Sequence, residues 1–112
     1  MKKLRAFHEL CLTVDHEFDI FGQLEFYESL WKGEPSIYKD YKKTKENVLS
    51  LKSYIDRHAS KKVLTHIDAV PDNFLFCEKE GKEDIRLIDW EYAGMQDPHV
   101  DIAMFCIYAL YN

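Results

Sequence analysis

The stretch Val63 to Phe76 reads VLTHIDAVPDNFLF, and it sets one His, two Asp and one Asn between strongly apolar, β-forming runs. Polar groups are expensive to bury without partners, so their presence there asks for a chemical reason. As spacing it is His66-x-Asp68-x-x-x-x-Asn73, and another Asp, Asp89, ends the run IRLIDW further on. A carboxylate and an amide five residues apart on one loop, with a second carboxylate after the next hairpin, is a layout suited to phosphoryl transfer. That reaction needs a carboxylate within hydrogen-bond reach of an attacking hydroxyl. It also needs hard oxygen ligands for Mg²⁺, which prefers carboxylate and amide oxygens.

Other polar residues have simpler readings. Asp72, between Pro71 and Asn73, reads as a turn residue. Asp97 reads as a helix N-cap. His8, His16, His58 and His99 show no metal-ligand spacing with a partner, so a zinc site is not suggested. Cys11, Cys77 and Cys106 are odd in number, lie far apart and sit in apolar neighbourhoods, which predicts buried, unreactive thiols and no disulfide framework.

The elements that must position the polar stretch follow from hydrophobic period. Lys3 to about Thr13 has Leu4, Phe7, Leu10 and Cys11 spaced to share a helical face. A second helix is predicted over 18–32, with Asp19 able to cap its start and Gly33 and Pro35 ending it. A third, over 38–58, is highly charged with one narrow apolar stripe, as expected of a surface helix. After His58 the period changes: 63–65, 74–77 and 85–88 are short apolar β segments, and EKEGKED between the last two carries the turn of a hairpin. The end, DPHVDIAMFCIYALY, reads as a helix over 98–112, apolar almost all round as a buried helix would be.

Composition narrows the class of protein. The 112 residues are 46% hydrophobic and 31% charged, which fits a globular domain or part of one and not a disordered chain. A net charge of −5 with scattered lysines offers no basic stripe for nucleic acid. No apolar run approaches the roughly 20 residues that span a bilayer, and the N-terminal MKKLRAFHELC lacks a signal peptide's apolar stretch, so a cytoplasmic location is expected.

HIDAVPDN and IDWEYAGMQDPHVDIA, in that order and separated by a hairpin, resemble the catalytic half of the choline/ethanolamine kinases, in the aminoglycoside-phosphotransferase-like branch of the protein-kinase-like fold. The motif match runs from about Val63 to Ala103, and the preceding helices are similar in order and length. The resemblance implies an α+β chain, the mostly helical C-terminal lobe of that fold, with a small hairpin carrying the catalytic and metal-binding loops over 63–89. It implies that Asp68 is the catalytic base that positions the alcohol, that Asn73 and Asp89 ligate Mg²⁺, and that Glu91 lies near a second metal or the substrate. It also implies that His66 packs the loop and that Asp101 reaches back from its helix to support the loop backbone. Trp90 and Tyr92, flanking Glu91, are candidates for one wall of a pocket for a quaternary ammonium group, or they pack beneath the loop. Ile67 stands where the aminoglycoside enzymes have Gly, and Asp72 where they have a small residue; both departures favour the choline side.

The substrates so implied are ATP and choline, ethanolamine or a similar small alcohol, with no nucleic acid and no membrane insertion. No Gly-rich phosphate-covering loop and no V-A-I-K-like strand occurs in the sequence. The expectation is therefore a fragment of a longer protein, without the N-terminal lobe, inactive by itself and able to self-associate through exposed apolar surface. Two alternatives share much of the pattern: an aminoglycoside or other small-molecule phosphotransferase, and a pseudokinase-like or fragment module without activity.

Overall fold

A computed structural model describes residues 1–110; the end of the predicted last helix, 111–112, lies outside the described residues. The chain divides into two compact units, one made of Met1–Phe18 with Ser60–Asn112, the other of Asp19–Ala59.

The first unit begins with α1 (Lys2–Glu9), whose Leu4 is only 1% exposed. It is shorter than predicted. Leu10 and Cys11 donate N–H bonds to the Phe7 and His8 carbonyls, and Cys11 takes a φ of 49°, which turns the chain out of the helix. Cys11 is consequently exposed, and Cys77 and Cys106 are only partly covered, which corrects the expectation of three buried thiols. Beyond the turn, Leu12 accepts an N–H bond from Leu64 of β1 (Val63–Thr65).

β1 pairs antiparallel with β4 (Gly94–Gln96), a strand the sequence reading missed because GMQ has a single apolar residue and no β-branched or aromatic one. Glu17 bridges Met95 on the other side of β4, and Met95 donates to His16 while Phe18 donates to Met95. Gly94 permits this close approach: a Cβ there would stand 2.9 Å from the His16 ring and 3.1 Å from the Phe18 nitrogen. β2 (Phe74–Lys79) and β3 (Lys82–Leu87) form the predicted hairpin, closed by Glu80 and Gly81 with φ of 54° and 73°. Positive φ at both central residues suits the right-handed strand twist. α5 (His99–Tyr108) follows, with Asp97 accepting the His99 N–H at its start. Only Asp101 of this helix is buried, and Ile102, Ile107 and Tyr108 are exposed, so the helix is not enclosed as its all-round apolar composition suggested.

In the second unit, α2 (Ile20–Ser29) starts on the predicted cap, with Asp19 Oδ1 accepting the Gly22 N–H at 3.0 Å. It ends short of the predicted 32, where Lys32 and Gly33 both take positive φ. The predicted helix over 38–58 is two, α3 (Tyr41–Ser50) and α4 (Lys52–His58), separated at Leu51, whose N–H bonds to Val48 in a tightened last turn. No described helix of either unit is long and apolar enough to cross a membrane.

Candidate active site

Burial in the first unit centres on the polar loop after β1. Thr65, His66 and Asp101 are fully buried, beside Val63, Ile67 and Ala69. Each of these three polar side chains makes at least one specific hydrogen bond. Thr65 Oγ1 donates to the Gly94 carbonyl at 2.8 Å. Asp101 accepts the backbone N–H of Ile67 on Oδ1 at 2.7 Å and that of His66 on Oδ2 at 2.9 Å. These bonds fix a backbone that would otherwise resist its shape, because Ile67 has a φ of 72°. A β-branched residue rarely adopts that conformation, and strain of this kind costs on the order of 1–3 kcal/mol. The position therefore has a glycine's geometry without a glycine, and the Asp101 carboxylate is what secures it.

His66 Nε2 donates to the Ile88 carbonyl at 2.8 Å, which ties the loop to the end of β3. Its Nδ1 is buried with no hydrogen-bond partner. Beyond Ile67, Pro71–Asn73 form one 3₁₀ turn, with Pro71 in the first position and Asp72 exposed on it. The turn brings Asn73 back onto Asp68: Asn73 Nδ2 donates to the Asp68 carbonyl at 2.8 Å and to its carboxylate at 3.2 Å. With its amide nitrogen committed there, the Asn73 amide oxygen is the group left to accept or to bind a cation. The Asn73 carbonyl also accepts the Ile88 N–H at 3.0 Å, so Asp89 is the next residue after one bonded to Asn73. Asp89 has a φ of 65°, a second strained turn, and is exposed.

Trp90 donates from its indole N–H to the Leu87 carbonyl, and its ring meets Phe7 edge-on at 5.0 Å and His66 at 4.6 Å. These contacts anchor the loop after Asp89, and the indole keeps 39% exposure. Glu91 and Tyr92 are exposed beside it. A cleft of about 220 Å³ is lined by Asp68, Val70, Pro71, Asp72 and Tyr108. A larger hollow of about 580 Å³, lined by α1 residues with Val63, Pro98 and Ile102, includes neither Asp68 nor Asp89. Of these two hollows, the smaller is the one that Asp68 lines.

Asp97, at the head of α5, is held below the ordinary carboxylate range. Burial works against this, and the N–H groups of His99 and Ser60 outweigh it. Among the described residues no group of three or more His, Cys, Asp or Glu is placed to hold a metal ion. Mg²⁺ does not require one, because it is commonly bound by one or two carboxylates together with substrate phosphates. The Asn73 amide oxygen and the Asp89 carboxylate are donors of the type that ion prefers.

Two contributors escaped the sequence reading. Tyr108 lines the Asp68 cleft from α5. His8 bonds through Nε2 to Asp101 Oδ2 at 2.7 Å. The signal for His8 was an ionisable residue four positions after Leu4, hence on the buried face of α1.

The chain matches the family model for choline/ethanolamine kinase over residues 1–112. No curated protein sequence matches significantly. Among solved structures it is similar to choline kinase LicA from Streptococcus pneumoniae, at 31% identity and a TM-score of 0.85, covering 99% of this chain and 38% of that one. LicA in complex with AMP matches at 31% identity and 0.83, over 99% of this chain and 37% of that one. A choline/ethanolamine kinase family protein from Mesorhizobium loti shares the fold at 23% identity and 0.74, over 89% of this chain and 33% of that one. The 112 residues thus span well under half the length of these proteins. With the match running the full length of the chain, this polypeptide belongs to the choline/ethanolamine kinase family.

Proposed function

We propose that this chain carries the catalytic and metal-binding loops of a cytoplasmic, ATP-dependent kinase that phosphorylates the hydroxyl of choline or ethanolamine. The observation that carries this reading is the Asp68–Asn73 pair, hydrogen-bonded on a loop pinned by Asp101, with Asp68 lining a cleft. Asp68 orients the alcohol and takes its proton as the hydroxyl oxygen bonds to the γ-phosphorus of ATP and the bond to ADP breaks. Asn73 and Asp89, with Glu91, would hold Mg²⁺, which when bound neutralises charge on the phosphate oxygens. Glu91, Trp90 and Tyr92, all exposed, offer a carboxylate and ring faces of the kind that attract an alkylammonium group. His66 and Asp101 hold the loop and do not react.

The lobe that grips the phosphates is assigned to residues outside this chain, which makes the 112 residues a C-terminal-lobe segment. The coverage of 38% of LicA and the exposed apolar residues of α5 support that reading. Positioning and electrostatics supply most of phosphoryl-transfer catalysis, so the isolated segment transfers negligibly and its exposed faces self-associate. The AMP complex of LicA supports nucleotide binding by the intact enzyme.

The test is ADP release by the intact enzyme with choline, ethanolamine and aminoglycosides. Asp68→Asn is expected to lower kcat by about 10²–10⁴-fold, the usual contribution of a general base, and Asp89→Ala to abolish turnover. Near-normal rates in either variant refute the roles, and turnover of an aminoglycoside alone refutes the substrate. Tight saturable binding of Mg·ATP by the isolated segment would show that no essential lobe is missing.

A further inference from the structure

The stretch from Trp31 to Lys43 joins α2 to α3 within the second unit, and its base is fastened. Lys32 and Gly33 take φ of 50° and 84°, which turn the chain sharply out of α2. The Trp31 ring meets the Tyr41 ring at 5.1 Å, and Glu28 accepts from Tyr41 and Lys45, so both ends of the loop are tied together. Tyr41 also donates its N–H to the Tyr38 carbonyl, and Ser36 Oγ accepts the Tyr38 N–H. This frame holds apolar groups out into solvent. Ile37, at 89%, is the most exposed large apolar residue among those described, and Tyr38 beside it is 68% exposed. Lys32, Lys39, Lys42 and Lys43 of the same stretch are exposed too, against the two carboxylates Glu34 and Asp40. The local balance is positive in a chain whose net charge is −5. Helix formation does not ask for it: Lys42 and Lys43 lie in the first turn of α3, which has no acidic residue, and cations there oppose the helix dipole.

We infer that this loop is a docking surface for an anionic lipid bilayer, on which the four lysines lie among the headgroup phosphates while Ile37 and Tyr38 enter the interfacial layer. Each lysine near such a surface strengthens attachment by about 5-fold, the equivalent of about 1 kcal/mol. Tyrosine suits the boundary, because its ring is apolar and its hydroxyl stays wet. Charge and apolar insertion are each weak alone, and together they give reversible attachment without a membrane-spanning element. The fastened base keeps the loop in one shape, so little entropy is lost on docking. A nucleic acid would offer phosphates to the lysines but no apolar layer to Ile37. No residue of the candidate active site belongs to this loop, and the inference stands apart from the phosphotransfer reading.

The test is co-sedimentation with vesicles of phosphatidylcholine containing about one-third phosphatidylglycerol, with this chain and with the intact enzyme. Both should bind, and raising salt from about 0.05 M to about 0.5 M should release them. Joint replacement Lys39→Gln, Lys42→Gln and Lys43→Gln should weaken binding by about 100-fold. Ile37→Ser with Tyr38→Ser should weaken it by about 10-fold. Phe76→Ser, at an 82% exposed position on the hairpin of the first unit, should leave it unchanged. All five positions are exposed, so the variants should fold as the parent does, which circular dichroism checks. Equal binding to pure phosphatidylcholine vesicles, insensitivity to salt, or a Phe76→Ser loss as large as that of the Ile37 and Tyr38 pair would each overturn the inference. So would binding by this chain that the intact enzyme lacks, because the loop would then be covered by the rest of the protein.

Discussion

Asp19–Ala59 contains no buried residue among those described, while the other unit gathers its burial around a polar loop in which Thr65, His66 and Asp101 are fully enclosed. The first is ordered by caps and partly exposed pairs: Asp19 on the Gly22 N–H, and Glu28 accepting from Tyr41 and Lys45. The second is ordered by hydrogen bonds that water cannot replace. An unmade bond is penalised in full when it is buried and barely at all when solvent can fill in. The candidate site and the core of the first unit therefore share their contacts, and a change that damages one damages the other.

Asp101→Ala should show the largest effect. It leaves the His66 and Ile67 N–H groups buried without acceptors. Each such orphan costs about 1–3 kcal/mol, so about 2–6 kcal/mol of stability is expected to be lost. The two tryptophans fall one in each unit, Trp90 in the first and Trp31 in the second. Urea unfolding followed at each, with the other replaced by Phe, should move the Trp90-reported transition far more. Equal shifts at both reporters would erase the contrast between the units.

The same contrast explains what could be read from sequence. The helical segments, the hairpin and the Asp19 cap were legible because period, turn residues and capping chemistry are local. That Asp68 and Asn73 share one loop was legible as spacing, whereas the hydrogen bond between them is made by the 3₁₀ turn over Pro71–Asn73. The Asp101 support came through resemblance to a family. The position of His8 on the buried face of α1 was open to reading, but its partner was not, because the contact crosses most of the chain, and β4 is a strand defined by its partner β1 and by a glycine that lets His16 and Phe18 approach. Ile67 shows the limit most clearly. Its side chain predicts a strand, and only the two N–H bonds into Asp101 reveal why it stands at positive φ.

Asp97 lies between the extremes. Its carboxylate caps α5 and accepts the Ser60 N–H at 2.6 Å, and its ring contact with His99 adds a third bond. Replacement by Ala should cost about 1 kcal/mol, as for other caps. Because the folded state holds this carboxyl below its ordinary value of 3.8, its contribution is fully present above that pH and is lost as pH falls through the depressed folded value. Asp97→Ala should therefore flatten the acid limb of a stability curve followed at Trp90. An acid limb identical to wild type would show that the cap does not couple to folding.

The smallest effect is expected from Glu28→Gln in the second unit. The Glu28 carboxyl is lowered by its bond from Lys45 first and by that from Tyr41 second, and the Tyr41 hydroxyl is raised in return by the same contact. The direction is that of a carboxylate favoured in the folded state, present above the ordinary 4.5 and lost below it. Its surroundings decide the size, however. Solvent and salt share the work of Lys45, and glutamine still accepts from Tyr41. Trp31 packs 5.1 Å from the Tyr41 ring, so its fluorescence reads this contact directly. The Glu28→Gln shift should be smaller than that of Asp97→Ala and should vanish near 1 M salt, where charges are screened within about 3 Å. A shift as large as that of Asp101→Ala, and insensitive to salt, would mean that the Glu28 pair is shielded like the polar loop, and the distinction between the two units would fall.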